Sequence, residues 1–150
     1  LAQKVVEGQE AVARSREVEI CVQTPDACIE VEIDHSLFYR VLDNLVSNAI
    51  KFSPTGGMVT VRVVEMDAEQ GGLQTCLRIM DEGPGIPKPY RDRIFDKFEI
   101  VALRQEGIQI GLGLAFCKAV VEAHEGRIVV NANQPRGTIF SIQIPYSSRA

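Results

Sequence analysis

Apolar and polar positions change period several times along the chain, and each change marks an element. Val18, Ile20 and Val22 alternate with polar neighbours, the two-residue period of a half-buried strand. Pro25 and Asp26 signal a turn. Ile29, Val31 and Ile33 then alternate again, which predicts a hairpin partner for that strand. From Asp34, a suitable N-cap, the period lengthens to that of a helix over 35–52. The helix carries two apolar ridges, Leu37, Val41, Leu45, Ala49 and Phe38, Leu42, Val46, Ile50. Its opposite face carries Arg40, Asn44, Asn48 and Lys51. Pro54 ends it, Gly56 and Gly57 make a turn, and strands over 58–66 and 73–80 follow, joined through Gly71 and Gly72. Val5, Val6 and Val12 among polar residues predict a first helix over 2–14. Near the C-terminus a helix over 112–124 stops at Gly126, and strands over 127–132 and 138–145 flank Gly137.

Between 81 and 113 the periodicity is lost. The stretch holds Gly83, Gly85, Gly107, Gly111, Gly113 and three prolines, with a short helix over about 90–95. So long an irregular segment inside a domain is more often a functional loop than a spacer. Paired strands linked by helices predict an α/β fold. The expected form is a two-layer α/β sandwich, a mixed and mostly antiparallel sheet with helices on one face.

Composition narrows the function. The chain has 150 residues, 45% hydrophobic and 24% charged, one domain's worth with a core of ordinary size. Its net charge of -4 disfavours nucleic acid and anionic membrane as partners, though a local basic pocket for a phosphate remains open. Of four cysteines none forms a CxxC pair, and there are two histidines, so a zinc site is not expected. Cys76 and Cys117 fall in apolar stretches and read as core residues. Free thiols and the lack of a secretory signal fit the cytoplasm. No apolar run approaches the length of a membrane span. The chain begins at Leu1 rather than Met and reads as a piece of a longer protein, membrane-anchored or not.

Four short stretches carry candidate chemistry. In DNLVSNAIKF, residues 43–52, Asn44, Asn48 and Lys51 share one helix stripe. Amide oxygens suit Mg²⁺ that keeps waters and phosphates, and a lysine one turn on can meet those phosphates. A solvated helix face is the plainer explanation of the stripe taken alone. In DEGPGIP, residues 81–87, Gly83 and Gly85 let a ligand approach the backbone, and Asp81 is an acceptor for an amino group. An ordinary turn with a solvated acid fits equally. In RIFDKFE, residues 93–99, Phe95 and Phe98 either pin a loop or are simple core residues. In GLGLAFCKAVVEAHEG, residues 111–126, Gly111 and Gly113 open a helix whose free N–H groups suit an anion. The spacing is not that of a dinucleotide fingerprint.

In this order the four stretches resemble the ATP-binding catalytic domain of sensor histidine kinases, in the GHKL group of ATPases and kinases, and most resemble hybrid-type kinases. The resemblance spans essentially the whole chain, residues 1–150, with 1–14 as a connecting helix and 96–110 as the ATP lid. It implies ATP and Mg²⁺ as ligands. Asn48 would bind the metal with Asn44 beside it, Lys51 would meet phosphate, and Phe52 would pack near the nucleoside. Asp81 would take the adenine amino group, helped by Thr138 through water, with Gly83, Gly85 and Ile86 lining the pocket. Gly111, Leu112 and Gly113 would hold phosphates, and Arg104 is the lid's candidate phosphate contact, or else a solvated loop residue. Asn44, Asn48 and Lys51 would be the catalytic set. Asn44 stands where hydrolytic relatives carry a glutamate, which implies transfer rather than hydrolysis.

Two departures matter. The lid ends Gly107, Ile108, Gln109, Ile110, bulkier than the family pattern. No phosphoacceptor domain is present, and His35 and His124 read as surface or helix-end residues. The expected reaction is therefore γ-phosphoryl transfer to a histidine on a dimerisation domain outside this chain, in a homodimeric parent. A response-regulator receiver domain would be the downstream partner. The alternatives are a degenerate nucleotide-binding module without activity and an anti-sigma-type serine kinase on the same fold.

Overall fold

The computed structural model describes residues 1–110 and 113–146. Its elements run α1 (Ala2–Ser15), β1 (Glu19–Gln23), α2 (His35–Phe52), β2 (Met58–Asp67), β3 (Leu73–Met80), α3 (Ile100–Gln105), α4 (Leu114–Ala123), β4 (Arg127–Ala132) and β5 (Thr138–Pro145). The five strands form one sheet in the order β1-β2-β3-β5-β4. β1 and β2 are parallel and the other pairings antiparallel. α1 packs on α2 and β1, α2 on β2 and β3, and α4 on β4 and α2. This is the expected two-layer sandwich.

The core lies where the α2 ridges meet the sheet. Phe38, Val41, Leu42, Leu45, Val46, Ala49 and Ile50 are buried, against Val59, Val61, Ile79, Phe140 and Ile142. Removing a fully buried leucine such as Leu45 from such a core costs about 2–5 kcal/mol. Asp34 caps α2 as its sequence predicts, its Oδ1 accepting from Leu37 N–H at 2.9 Å. Cys76 and Cys117 are buried, and burial pushes the Cys117 thiol up to about 12, so it stays protonated. Among the described residues, no helix is long and apolar enough to cross a membrane.

The hairpin expected of residues 29–33 does not form. β1 pairs instead with β2, from Glu19 opposite Met58 to Gln23 opposite Arg62. Parallel neighbours cannot be joined by a tight turn, so α2 supplies the crossover between them. Val31 and Ile33 pack partly buried against the core from an extended segment without a ladder. Their alternation reports which side is covered, not a strand partner. The helix expected over 90–95 is also corrected. Two 3₁₀ turns stand there, Lys88–Tyr90 and Arg93–Phe95, the first with proline near its start.

His124 joins the two helices that frame the site. Its Nε2 accepts from Asp34 N–H at 3.0 Å and its Nδ1 lies 2.7 Å from the Val120 carbonyl, so the proton sits on Nδ1. The ring meets Phe38 edge-on at 4.8 Å. His35 is exposed in the first turn of α2.

Candidate active site

Four of the predicted residues, Asn44, Asn48, Lys51 and Phe52, come from α2. Asn44 and Asn48 are half-buried on the face beside the apolar ridges, and Lys51 is exposed in the last turn. Among the described residues the Asn48 side chain has no hydrogen-bond partner, so its oxygen is free to take a ligand. Asn44 faces the start of α4, where Gly113 has φ +94° and a Cβ would lie 2.9 Å from Asn44 Oδ1. Only glycine lets the two helices approach there. The end of α2 is tied to α1 by Arg16 Nη2, which donates to the Lys51 carbonyl at 2.9 Å. Asp43, one position before Asn44, accepts from Gln9 Nε2 at 2.6 Å.

Asp81 follows β3 directly and is 6% exposed. Its Oδ1 accepts from Gly83 N–H at 2.8 Å and Thr138 N–H at 3.2 Å. Its own N–H donates to the Thr138 carbonyl at 2.9 Å. Among the described residues the second carboxylate oxygen has no partner, and Asp81 lines the pocket described below. Gly83 lies so close to the end of α2 that a Cβ would meet the Phe52 carbonyl at 2.6 Å. The turn between β4 and β5 closes the other side. Asn133 Nδ2 donates to the Asp81 carbonyl and Arg136 Nε to the Gly83 carbonyl. Sequence reasoning missed both residues. The available signal was NQPRG, an asparagine opening a proline turn immediately before Thr138.

Burial holds the Asp81 carboxyl above its ordinary value of 3.8, partly opposed by the Gly83 and Thr138 amides. A carboxyl with a raised folded-state pKa binds its proton more tightly folded than unfolded. Its contribution is present at low pH and is lost as pH rises through the folded value. At neutral pH the ionised Asp81 therefore burdens the fold. Asp81→Asn keeps the shape and the Oδ1 acceptor but removes the charge. The variant is expected to melt above the wild type at about pH 7, with the gap closing toward about pH 4. Thermal unfolding across that range checks it, and a gap independent of pH contradicts it.

Six predicted residues, Asn48, Phe52, Asp81, Gly85, Ile86 and Thr138, line one pocket with Gln109, Ile110 and Leu114. Its volume is about 20 Å³, room for roughly one water. Ile110 is 4% exposed and forms part of the wall. A wider cleft of about 450 Å³ opens beside it, lined by Lys51, Phe52, Arg104, Gly107, Gln109 and Ile110. The two share Phe52, Gln109 and Ile110, so a narrow apolar end continues into an open cationic one. Arg104 is exposed on that cleft, its Nη2 3.4 Å from the Ile110 carbonyl. Gly111 and Leu112, also expected here, lie outside the described residues.

Residues 96–110, expected from the resemblance as the lid, hold more regular structure than their sequence predicts. They contain α3, whose Leu103 is fully buried. Arg93 Nη2 meets Glu99 at 2.7 Å and Glu106 at 3.3 Å, linking both ends of α3 to the preceding turn. Phe95 is buried against Phe140, but Phe98 is 83% exposed with Lys97 Nζ over its ring, so the two aromatics do not act as one core pair.

Known proteins resemble this chain in sequence and fold. The Bacillus subtilis sensor histidine kinase WalK is 37% identical over 137 residues, which cover 90% of this chain and 22% of WalK. Hybrid signal transduction histidine kinase D of Dictyostelium discoideum is 32% identical over 139 residues, 91% of this chain and 9% of that protein. The catalytic domain of histidine kinase ThkA superimposes with a TM-score of 0.80 at 27% identity, covering 96% of this chain and 89% of that domain. ThkA in complex with the response regulator protein TrrA gives 0.78 at 25%, covering 97% of this chain and 39% of that one. The chain thus spans about a fifth or less of the curated relatives named here. The model of the histidine kinase-, DNA gyrase B- and HSP90-like ATPases matches residues 33–148, from just before the α2 cap past the end of β5. The chain belongs to that ATPase family, as a catalytic ATP-binding domain of the sensor histidine kinase type.

Proposed function

We propose that the domain binds Mg²⁺–ATP between α2 and residues 81–113 and passes the γ-phosphoryl group to a histidine on a dimerisation domain of its parent protein. The observation that carries this is the single pocket to which α2, the 81–86 turn and β5 each contribute predicted residues. Asp81 offers its free carboxylate oxygen to the adenine amino group, with Thr138 assisting through water and Gly83, Gly85 and Ile86 closing around the base. Phe52 packs on the nucleoside. Lys51 and Arg104 face the phosphates from the open cleft, and the start of α4 at Gly113, with Gly111 and Leu112 before it, receives them end-on.

The residues present fit a magnesium ion. Asn48 presents a neutral, hard and unpartnered oxygen next to the cleft, and Asn44 stands one turn before it. When bound, the ion would supply charge neutralisation at the phosphates. The chain's own part is positioning. It holds the triphosphate so that a nitrogen–phosphorus bond to the incoming imidazole forms as the bond to ADP breaks. Asn44 carries an amide, which is no base at neutral pH, so water is not activated and transfer prevails over hydrolysis. A receiver domain downstream, as in the ThkA–TrrA complex, a homodimeric parent and a cytoplasmic setting complete the proposal. A hybrid-type parent carrying its own receiver is the finer form, supported by the likeness to histidine kinase D.

One observation favours a second reading, a module that no longer binds nucleotide: the pocket measures only about 20 Å³, with the buried Ile110 in its wall. Calorimetry with ATP, with and without Mg²⁺, separates the two. Magnesium-dependent binding to the wild type is expected. No heat at millimolar ATP from either the wild type or Ile110→Ala would leave the degenerate module as the function.

A further inference from the structure

Asp81 is held by more than the two amides on its carboxylate. Asn133 Nδ2 reaches its carbonyl at 2.8 Å, and Arg136 Nε reaches the Gly83 carbonyl at 3.0 Å. Both donors sit on the β4–β5 turn, which is itself stiffened. Gln134 N–H donates to Asn133 Oδ1 at 2.9 Å, and Asn133 N–H to the Gly137 carbonyl at 3.0 Å. From the other flank the Phe52 carbonyl leaves no room at Gly83. The backbone is thereby fixed on both sides of the carboxylate's own residue.

We propose that Asn133 and Arg136 are positioning residues that set the nucleobase specificity of this site, an assignment that rests on the nucleotide-binding function proposed above. The physical ground is directional. Adenine presents an amino donor where guanine presents a carbonyl. A carboxylate oxygen selects the donor only while it points along the N–H axis, because hydrogen bonds weaken steeply with misalignment. A buried acceptor facing an acceptor is left unpaired, and this mismatch is what produces discrimination. If the 81–83 backbone swings, the carboxylate loses its aim, and ATP loses its advantage while the phosphate contacts are untouched.

A merely structural turn would act differently. Weakening it would lower the melting temperature and affect both nucleotides alike. The test is calorimetry of ATP and GTP, each with Mg²⁺, on the wild type, Asn133→Asp, Arg136→Ala and Arg136→Lys. Amide exchange at Gly83 and Thr138 is read by NMR on the same proteins. Asn133→Asp keeps the oxygen that caps Gln134 but sets a carboxylate oxygen against the Asp81 carbonyl.

The preference for ATP is expected to fall about tenfold in Asn133→Asp and roughly threefold to tenfold in Arg136→Ala, almost all through weaker ATP binding. Arg136→Lys should recover part of it, since an ammonium can reach the same carbonyl. Gly83 should exchange faster in the impaired variants. Arg136 is exposed, so its variants keep the test open if Asn133→Asp fails to fold. A wild type that discriminates, with folded Arg136 variants that discriminate equally, overturns the role of the turn and leaves the nucleotide site standing. A wild type that binds neither nucleotide overturns both.

Discussion

Asn48→Ala is expected to lower phosphoryl transfer to a supplied dimerisation domain by about a hundredfold or more while leaving the melting temperature nearly unchanged. Removing one preorganised contact to charge that develops in transfer typically costs about 2.7–4 kcal/mol, a factor of roughly 10²–10³. The fold gives no reason for a matching loss of stability. Asn48 is half-buried, its side chain has no hydrogen-bond partner among the described residues, and alanine is the better helix former. Separating the two effects is what makes the variant informative. Label transfer from radiolabelled ATP, alongside thermal unfolding of the same sample, gives both numbers. Wild-type transfer in a folded Asn48→Ala would remove Asn48 from the catalytic set.

Gly137→Ala should do the reverse and damage the fold first. Gly137 has φ +113°, and a Cβ there would stand 1.9 Å from the Asp81 carbonyl oxygen and 2.7 Å from its carbon. Both obstacles are backbone and cannot rotate away. Relief requires moving the β4–β5 turn off residue 81, which breaks the paired bonds between Asp81 and Thr138. Backbone strain, overpacking and lost hydrogen bonds together amount to about 3–5 kcal/mol, or on the order of 10 °C in melting temperature. Gly56→Ala is the control. Its φ is +81°, but a Cβ would meet nothing within 4 Å, so only the conformational term remains, about 1–2 kcal/mol. Equal losses at the two positions would mean that the close approach to Asp81 contributes nothing.

What the sequence made legible follows from range. Seven of the eight α2 ridge positions are buried, because a helix's buried stripe is written at spacings of three and four. The pocket residues on α2 and in the 81–87 turn stand in short stretches that taken singly fit a solvated face or an ordinary turn equally well, and their grouping was expected only from the resemblance of the four stretches together. The parallel pairing of β1 with β2 was not readable, since alternation reports a covered side and never the partner. α3 was missed because six residues with one buried leucine leave almost no period to detect. Asn133 and Arg136 reach across 52 and 53 positions through single hydrogen bonds to backbone, so NQPRG marks their turn but not the partners they meet. The likeness to sensor kinases at large is supported, whereas the closer likeness to hybrid kinases has a single such relative among those compared above.

The isoleucine in the wall of the narrow pocket has a consequence for rates and populations. At the nucleotide site proposed above, a pocket of about 20 Å³ with Ile110 in its wall is too small for a base, so nucleotide would enter only the fraction of molecules in which that wall has moved out. The apparent dissociation constant is then the intrinsic one divided by that fraction, so a domain open about 1% of the time binds roughly a hundredfold more weakly than its contacts would allow. Raising the ATP concentration cannot speed association beyond the rate of opening. Whatever holds the loop out, a docked domain or a bound phosphate, gains leverage over affinity without touching the base. On that proposal the supply of ATP and the open fraction together set how much of the protein is loaded, and the opening rate sets how fast.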